Sequence, residues 1–354
     1  MEKILMKGNE AIAEAAIMAG CRQFFGYPIT PQNQIPEYMS KRMPQVGGIF
    51  LQSESEVAAI NMVYGAAGAG GRVMTSSSSP GISLKQEGIS YIVGSELPCV
   101  IVNIVRGGPG LGGIQPAQCD YYQSTRGGGH GDYRMIVLAP SSVQEAIELT
   151  QDAFDLADIY RNPVMVMGDG MIGQMMEPVV IKERAPVDLP EKAWACTGWD
   201  GKTRPRAIIN SLFIDPEVLE KHNLKLQAKY AAMEREQTRV EVDCPADSEY
   251  IVVAYGTMAR ITAKAVSMAR AEGMKIGLIR PITLWPFPTQ AIKDAVTDKV
   301  KHVMSVELAA GQMLDDVRLA IDGSVPTSCY SRLGGMVPTA REVCENIMKL
   351  KGGK

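Results

Sequence analysis

Two glutamates lie where a strand-like segment gives way to a helix-like one. In the run QSESEVAA, Glu54 and Glu56 follow the short apolar segment 49–52 and precede a small-residue segment, 55–69, that we expect to be helical. Ligands of open α/β sheets bind outside the carboxyl ends of strands. Burial among apolar side chains favours the uncharged acid, which could share a proton with a heterocyclic nitrogen. A structural alternative exists, because Ser53-x-x-Glu56 also fits a capping box.

A hydroxyl and a guanidinium follow two other predicted strands. Thr30 lies between two prolines in the run GYPITP, just after the predicted strand Gln23–Tyr27. Proline stiffens such a loop and would fix the hydroxyl at little entropic cost. Arg106 follows the apolar run Pro98–Val105, which is typical of a strand buried on both faces. Since a guanidinium binds a carboxylate through paired hydrogen bonds, Arg106 is a candidate anion ligand. The plain alternatives are a turn and a surface ion pair.

Two glycine patterns resemble cofactor motifs but depart from them in detail. Gly108-x-Gly110-x-x-Gly113 has dinucleotide-fingerprint spacing, yet Pro109 interrupts it and a polar segment follows where a helix is required. Gly168-Asp169-Gly170 begins like a thiamine-diphosphate metal motif, but no Asn occurs between 171 and 209, and one Asp is too few for Mg²⁺. We therefore predict a loop at the first glycine pattern and a turn after a strand at the second. His130, in a glycine-rich loop, is a further candidate, with a plain surface position as the simpler interpretation.

Composition excludes several classes of protein. The net charge of −3, the pI near 5.8 and the 6% aromatic content argue against nucleic-acid binding. The seven cysteines are scattered without a CxxC pair, and the three histidines lie far apart. We therefore expect reduced thiols in a cytoplasmic protein, with no iron–sulfur cluster or zinc site held by this chain alone. No signal-peptide core or membrane-spanning stretch is evident, so we expect no membrane contact.

Strand-like and helix-like segments alternate along most of the chain, which predicts a parallel α/β architecture. Further helices are expected at 9–20, 82–94 and 143–160, and further strands at 73–75 and 163–167. The alternation stops over 184–246, apart from a charged helix around 219–237, and resumes with strands at 250–255, 275–280 and 302–306 and a helix at 261–272. The predicted division is a first domain over 1–183, a linker or excursion over 184–246, and a smaller α/β domain over 247–354.

In order and at this spacing, the motifs YPITP, SESEVAA and RGGPG resemble the 2-oxoacid:ferredoxin oxidoreductases, specifically their pyrimidine-binding subunit. The flanking runs MKGNEAIAEAAIMAGC, TSSSSPGISLKQEGISY and GGGHGDYR add to the resemblance, and VAYGTMAR and GLIRPITLWPFP extend it towards the C-terminus. It is strongest to the member that acts on 3-methyl-2-oxobutanoate (2-oxoisovalerate). The resemblance implies a pyrimidine-type thiamine-diphosphate-binding domain followed by a domain like the transketolase C-terminal domain.

The resemblance also implies roles for individual residues. Glu56, which matches better than Glu54, falls on the glutamate that hydrogen-bonds the aminopyrimidine ring of thiamine diphosphate. Thr30 and Arg106 fall on residues that orient the oxoacid. The implied reaction is the CoA-dependent oxidative decarboxylation of a 2-oxoacid, in which electrons pass singly to iron–sulfur clusters.

The turn that lies near the cofactor in this family reads Thr-Ser-Gly-Pro-Gly. Here the corresponding residues are Ser77-Ser78-Ser79-Pro80-Gly81, so Ser79 replaces a glycine. We accordingly expect Ser79, Pro80 and Gly81 to contact the cofactor, with a local geometry that differs from the family pattern at Ser79.

The resemblance implies partners that hold the missing chemistry. These are a β-type subunit that shares the thiamine diphosphate and binds Mg²⁺, a γ-type subunit, and a ferredoxin-like iron–sulfur subunit, with coenzyme A as co-substrate. Pyruvate or 2-oxoglutarate remains an alternative substrate. A free-standing transketolase-type enzyme is disfavoured by the incomplete metal motif, and a nicotinamide-dependent dehydrogenase by the broken glycine fingerprint. A non-catalytic assembly subunit is disfavoured because Glu56, Thr30 and Arg106 are all present.

Overall fold

The computed structural model describes residues 3–352, apart from 183, 186, 200 and 204. The strands in this part of the chain are β1 (Ile4–Lys7), β2 (Gln23–Gly26), β3 (Ile49–Gln52), β4 (Val73–Ser77), β5 (Cys99–Val105), β6 (Ile136–Leu138), β7 (Pro163–Asp169), β8 (Met176–Val179), β9 (Val240–Asp243), β10 (Tyr250–Val253), β11 (Ile276–Pro281), β12 (Thr283–Trp285), β13 (His302–Glu307) and β14 (Thr327–Ser331). The α-helices are α1 (Gly8–Met18), α2 (Gln34–Arg42), α3 (Glu56–Gly68), α4 (Pro80–Gly94), α5 (Tyr121–Thr125), α6 (Val143–Tyr160), α7 (Gly170–Gln174), α8 (Pro216–Gln237), α9 (Gly256–Ala271), α10 (Thr289–Ala295), α11 (Gln312–Ile321) and α12 (Ala340–Lys349).

The first sheet has the strand order β12-β6-β7-β5-β4-β2-β3. All its strands from β6 to β3 are parallel, and only β12 is antiparallel to its neighbour. Every residue of β5 and β7 is buried, because helices cover both faces of the sheet. The predicted α/β architecture is therefore confirmed, and the apolar run before Arg106 is a central strand.

The second sheet has the strand order β14-β13-β10-β11-β9 and is parallel except for β9. The two sheets exchange chain segments. Strand β9 lies within the segment 184–246, which the sequence indicated as a linker, yet it pairs with β11. Strand β12 lies within 247–354 but pairs with β6 of the first sheet. The two halves of the chain are thus interlocked, and the predicted domain limits remain a prediction.

The charged helix expected around 219–237 is α8, which packs against the first half of the chain. Asp215 caps it by accepting a hydrogen bond from Glu217 N at 2.9 Å, and Pro216 occupies its first position. Lys229 Nζ donates to Arg161 O at 3.2 Å, and the buried Tyr230 ring lies edge-to-face 6.2 Å from that of Trp285. The excursion therefore folds back onto the molecule. None of the helices in the described residues is long and apolar enough to cross a membrane.

Candidate active site

The candidate residues converge at one edge of the first sheet. Strands β5, β4, β2 and β3 are neighbours and run parallel. Their carboxyl ends therefore meet at the same edge, where α/β proteins bind ligands. Each of these four ends leads into one of the predicted site residues or turns, which are Arg106 after β5, the turn Ser79-Pro80-Gly81 after β4, Thr30 after β2 and Glu56 after β3.

Glu56 is a buried acid whose carboxylate has no hydrogen-bond partner among the described residues. Ser55, and not Ser53, caps α3 by accepting a hydrogen bond from Ala58 N at 3.2 Å, so Glu56 is the first residue of the helix. The capping-box interpretation is therefore wrong, because that motif needs the acid at the third helical position. Glu56 is 6% exposed, whereas Glu54 is exposed. Within the described residues no hydrogen bond engages the Glu56 carboxylate, which leaves it available to a ligand.

Gly81 brings the turn after β4 against Glu56. A Cβ atom at Gly81 would lie 2.0 Å from Ser77 Oγ and 2.6 Å from Glu56 Oε1. Any side chain at this position would therefore displace the acid or the end of the strand. Pro80 begins α4, where its missing N–H costs nothing. The turn and the acid thus form one compact unit.

Ser79 occupies the position of the family glycine and adopts a strained backbone. Its φ of 28° lies in the left-handed region, which a residue with a Cβ atom enters at a cost of about 1–3 kcal/mol. Its hydroxyl donates to Arg106 O at 3.3 Å and accepts from Arg106 N at 3.1 Å. Its N–H donates to Asn103 Oδ1 at 3.2 Å. These bonds fasten the turn to the end of β5 and offset the strain.

Arg106 lies beside Thr30 at this edge of the sheet. Its Nη1 donates to Thr30 O at 2.9 Å and its Nη2 to Leu111 O at 3.0 Å. The residue is 8% exposed, and its Nε has no partner within the described residues. No acid forms an ion pair with it in that part of the chain, so the surface ion-pair interpretation is wrong. A buried guanidinium held only by carbonyl oxygens keeps its positive charge available for an anion.

Lys85 is a site residue that the sequence reasoning missed. It is 0% exposed, and its Nζ has no hydrogen-bond partner among the described residues. Burial lowers its pKa to about 8, while the negative charge of Glu56 acts in the opposite direction. The available signal was its position on α4, since Lys85 follows Ile82 by three residues and precedes Ile89 by four. That spacing belongs to the buried face of the helix.

Several buried polar atoms around this edge lack partners. Within the described residues, the hydroxyls of Thr75, Ser77 and Ser78 make no hydrogen bond, and the same holds for Lys85 Nζ and Arg106 Nε. Such groups are rare in proteins, and each one calls for an explanation. They belong to β4, the turn after it, α4 and the end of β5, the elements that bring Gly81 and Arg106 to this edge, which indicates a site for a polar ligand.

A cavity of about 480 Å³ opens beside Ser79 and Pro80. Its walls come from both halves of the chain, including the loop after Arg106 and the residues Leu308 and Leu333. Asp120 also lines it and accepts a hydrogen bond from Asn103 Nδ2 at 3.0 Å. Burial raises the pKa of Asp120, and hydrogen bonds and the charge of Arg106 partly oppose this shift. The sequence reasoning did not single out Asp120.

The remaining candidate motifs have structural roles. Asp169 caps α7, with its Oδ1 accepting from Met171 N at 2.9 Å and Ile172 N at 3.0 Å. The same oxygen accepts from Thr257 Oγ1 at 2.9 Å, which ties the two halves together. The predicted turn is thus a helix cap. Residues 107–119 contain no helix, which confirms the predicted loop, and His130 is exposed with its ring 5.8 Å from that of Tyr91.

Comparison with known proteins agrees with this arrangement. The family model for pyruvate flavodoxin/ferredoxin oxidoreductase, thiamine-diphosphate-binding, matches residues 14–239, and that for pyruvate:ferredoxin oxidoreductase core domain II matches residues 248–343. The ketoisovalerate oxidoreductase subunit VorB of Methanothermobacter marburgensis is 49% identical over 98% of both chains. The 2-oxoglutarate synthase subunit KorA of Methanothermobacter thermautotrophicus is 35% identical over 99% of both chains.

Two solved structures extend the comparison. The 2-oxoglutarate:ferredoxin oxidoreductase of Magnetococcus marinus, solved with 2-oxoglutarate, coenzyme A and succinyl-CoA bound, superposes with a TM-score of 0.86 at 27% identity. It matches 98% of the present chain, which spans 65% of that chain's length. A split-gene transketolase matches 97% of both chains with a TM-score of 0.59 at 13% identity, a likeness of fold alone. The family resemblance of the motifs and the predicted fold are confirmed, and the chain belongs to the 2-oxoacid:ferredoxin oxidoreductase family.

Proposed function

We propose that this chain is the pyrimidine-binding subunit of an oxidoreductase that converts 3-methyl-2-oxobutanoate to an acyl-CoA and CO₂ with reduction of ferredoxin. The observation that carries the proposal is the pairing of a buried, unengaged Glu56 with a buried Arg106 that no acid neutralises within the described residues, both at one sheet edge. Ketoisovalerate, the substrate in the name of VorB, is the same branched-chain oxoacid.

The residues at this edge fit the aminopyrimidine end of thiamine diphosphate. When bound, the cofactor supplies the carbon nucleophile and the electron sink for decarboxylation. Glu56 exchanges a proton at a nitrogen of the ring, and Gly81 leaves room for the acid to be approached closely. The hydroxyls of Ser77 and Ser78, unpartnered among the described residues, offer further hydrogen bonds. The turn Ser79-Pro80-Gly81 fixes these groups relative to Arg106.

Arg106 and Thr30 orient the carboxylate of the oxoacid. The Nε of Arg106, which is unpartnered among the described residues, and a charge that forms no ion pair there suit a carboxylate oxygen. Thr30 Oγ1 already accepts from Asn33 Nδ2 at 3.2 Å, so its own hydrogen remains to be donated. Holding the carboxylate at two points aligns the adjacent keto carbon for attack.

The cavity beside Ser79 favours an apolar oxoacid side chain. Ala117, Leu308 and Leu333 line it, and among its described lining residues Asp120 is charged while no Lys, Arg or His is present. The second carboxylate of 2-oxoglutarate would lie there without a cation and near Asp120, which is unfavourable. A branched alkyl group meets no such penalty. The 2-oxoglutarate alternative, supported by the likeness to KorA, is therefore second.

Partner subunits complete the enzyme in this proposal. Asp169 is committed to the cap of α7 and to Thr257, and the seven cysteines of the sequence have no cluster-type spacing. A β-type subunit would hold Mg²⁺ and the diphosphate, a ferredoxin-like subunit the iron–sulfur clusters, and a γ-type subunit would join them. VorB and KorA are both named as subunits, which supports an assembly of this kind. Residues 1–183 and 247–354 would be the thiamine-type and transketolase C-terminal-like domains.

The test is Glu56→Gln in the assembled complex, with Glu54→Gln as the matched control. Loss of a positioned proton-exchanging group lowers oxoacid-dependent ferredoxin reduction about 10²–10⁴-fold. Glu54 is exposed two residues away, so its variant should reduce ferredoxin at the wild-type rate. A normal rate with Glu56→Gln would remove the acid from its role and favour a non-catalytic assembly subunit.

A further inference from the structure

We propose that Lys85 is a positioning residue whose buried charge holds the carboxylate of Glu56 in place, so that an acid–lysine pair, and not an acid alone, faces the cofactor ring. This inference rests on the proposed function. It starts from a lysine that is 0% exposed and whose Nζ has no hydrogen-bond partner among the described residues. A buried ammonium is costly unless an opposite charge or a hydrogen bond compensates it.

The geometry of α4 directs Lys85 towards Glu56. Gly81 and Lys85 are four residues apart on this helix, so they lie next to each other on one helical face. Gly81 is the residue whose added Cβ would come within 2.6 Å of Glu56 Oε1. The face that carries Lys85 is therefore the one that abuts the acid.

Among the described residues, the other charged groups around α4 are engaged elsewhere or lie away from Lys85. The field of Glu56, on α3, is the electrostatic influence that opposes the effect of burial on Lys85. Glu87 lies on the exposed face of α4 and bonds to Tyr91. Asp120 and Arg106 lie beyond the Ser79 turn, where Asp120 bonds to Asn103. Among the described residues, Glu56 is thus the negative charge that acts on Lys85, without forming an ion pair with it at 4 Å or less.

The identity of the residue at position 85 argues for a function. Its neighbours on the buried face of α4 include Ile82 and Ile89, so an aliphatic residue would fit the pattern of the core. A lysine here weakens folding, because its charge is taken out of water. Because this loss of stability occurs beside the candidate proton-exchanging acid, we infer that the charge of Lys85 has a function at the site.

The charge on Lys85 alters what Glu56 does. A positive charge on the helical face that abuts Glu56 attracts its carboxylate and limits the positions that the acid can adopt. Without Lys85 the acid should be held less firmly towards the cofactor ring, so kcat should fall while the KM for the oxoacid stays near the wild-type value.

The first experiment needs no cofactor. Lys85 has a folded-state pKa of about 8, below its ordinary value of 10.5. Below pH 8 the lysine is protonated in both the folded and the unfolded state, and the buried charge lowers stability. As pH rises from 8 to 10.5 only the unfolded state retains the proton, so the folded state recovers stability. Lys85→Met should therefore raise the urea midpoint of the full chain at pH 7, and the gain should shrink towards pH 10.5.

Two controls accompany this measurement. Lys85→Arg keeps the buried charge and should not raise the midpoint. Lys41→Met removes an exposed lysine and should show no pH-dependent gain. If the gain of Lys85→Met were the same at pH 7 and pH 10.5, Lys85 would not carry a destabilising buried charge and the proposal would be overturned.

The second experiment uses the assembled complex and measures kcat and KM for the oxoacid. Lys85→Met should lower kcat about tenfold or more, and Lys85→Arg should restore it. The KM for the oxoacid should change little, because Arg106 and Thr30 are untouched. An unchanged kcat in Lys85→Met would overturn the proposal even if the stability result held, since Lys85 would then be only a buried structural charge. Failure of the proposed function would appear separately, as a normal rate in Glu56→Gln.

Discussion

The two parallel sheets of this chain place an acid and an arginine at the same kind of position, with opposite results. In the second sheet, Glu307 ends β13 and Arg280 lies near the end of β11. Glu307 accepts from Met313 N at 3.1 Å, Leu314 N at 3.2 Å and Ser305 Oγ at 2.9 Å. Arg280 donates to Glu145 Oε2 at 2.9 Å and Glu145 Oε1 at 2.8 Å, and its Nε to Glu241 at 2.8 Å.

In the first sheet, Glu56 and Arg106 lie at equivalent strand ends and are also buried. Within the described residues they have neither an ion-pair partner nor, for Glu56, any hydrogen bond to the carboxylate. Position at the carboxyl edge therefore does not by itself mark a functional residue. The two edges differ in their partners. At the second sheet, other residues of the protein bond to the acid and the arginine, whereas at the first sheet these groups remain available to a ligand.

Filling the space between Gly81 and Glu56, at the carboxyl edge of the first sheet, should have the largest effect on activity. In Gly81→Ala, the added Cβ would lie 2.0 Å from Ser77 Oγ, so the turn and Glu56 must move apart. We expect oxoacid-dependent ferredoxin reduction to fall by at least about 10²-fold, since a shift of that order misplaces reacting groups.

The matched control for this change is Gly65→Ala. Gly65 lies within α3, and a Cβ atom added there would meet open space, with no contact within 4 Å. This variant should keep full activity and gain roughly 0.5–1 kcal/mol in unfolding free energy. Equal activity losses in both variants would show that the site tolerates no change in helix packing, and the specific role of Gly81 would be lost.

Truncating the two arginines should separate activity from stability. Arg106→Met removes the charge that no acid neutralises within the described residues, so kcat/KM for the oxoacid should fall about 10–100-fold while the urea midpoint holds or rises. Steady-state kinetics and urea unfolding on the same preparations measure both effects.

Arg280→Met should behave in the reverse way. Arg280 is 7% exposed, and its removal takes away the ion-pair partner of Glu145, which keeps only its hydrogen bonds from Ser141. We expect a loss of roughly 3 kcal/mol in unfolding free energy and near-normal kcat/KM in the assembled enzyme. A loss of oxoacid affinity in this variant, with wild-type stability, would contradict the comparison.

The buried acid of the second sheet gives a smaller effect that depends on pH. Burial raises the pKa of Glu307, while its hydrogen bonds act in the opposite direction. An acid with a raised folded-state pKa favours folding below its unfolded value, near 4.5, and the stability it adds is lost as pH rises towards the folded value. Glu307→Gln should remove this part of the pH dependence, which sets in above about pH 4.5 in urea titrations, and should leave the activity profile unmoved. Unchanged curves would show that Glu307 is ionised throughout.

The smallest effect is expected at Ser79. Ser79→Gly relieves the left-handed backbone but removes the two hydrogen bonds between the hydroxyl and the main chain of Arg106. Strain and hydrogen bonds are of similar size, so the change in unfolding free energy should stay within about 1 kcal/mol. Activity should change less than about threefold. A large loss would mean that the hydroxyl itself contacts the ligand.

The sequence predicted the first sheet and its edge because those features depend on local patterns. Apolar runs predicted the buried strands, and parallel topology then brought Thr30, Glu56 and Arg106 together. The helix start was harder, because Ser53 and Ser55 are both good capping residues and the choice between them depends on the backbone. Lys85 was missed because lysines are expected at the surface, although its helical spacing pointed inward.

The pairing of β9 and β12 with strands from the other half of the chain could not be predicted from the sequence. The segment that forms β9 is short, largely exposed and embedded in a stretch without alternation. The three residues of β12 follow β11 almost directly, and nothing local indicates that they leave the sheet of their neighbours. Such pairing depends on the shape of the assembled molecule. The same holds for Asp120, whose role appears only when its loop meets the turn at Ser79.

The exchange of β12 has a consequence for how the molecule can be divided. Cutting the chain near residue 247 would strip β6 of its outer neighbour and leave its backbone amides and carbonyls open to pairing with other molecules. The N-terminal fragment should then aggregate, even though it contains the whole cluster around Glu56. The two halves of the chain should unfold together in one cooperative thermal transition. If the protein were made as two separate polypeptides, the break would have to lie elsewhere than between the two sheets.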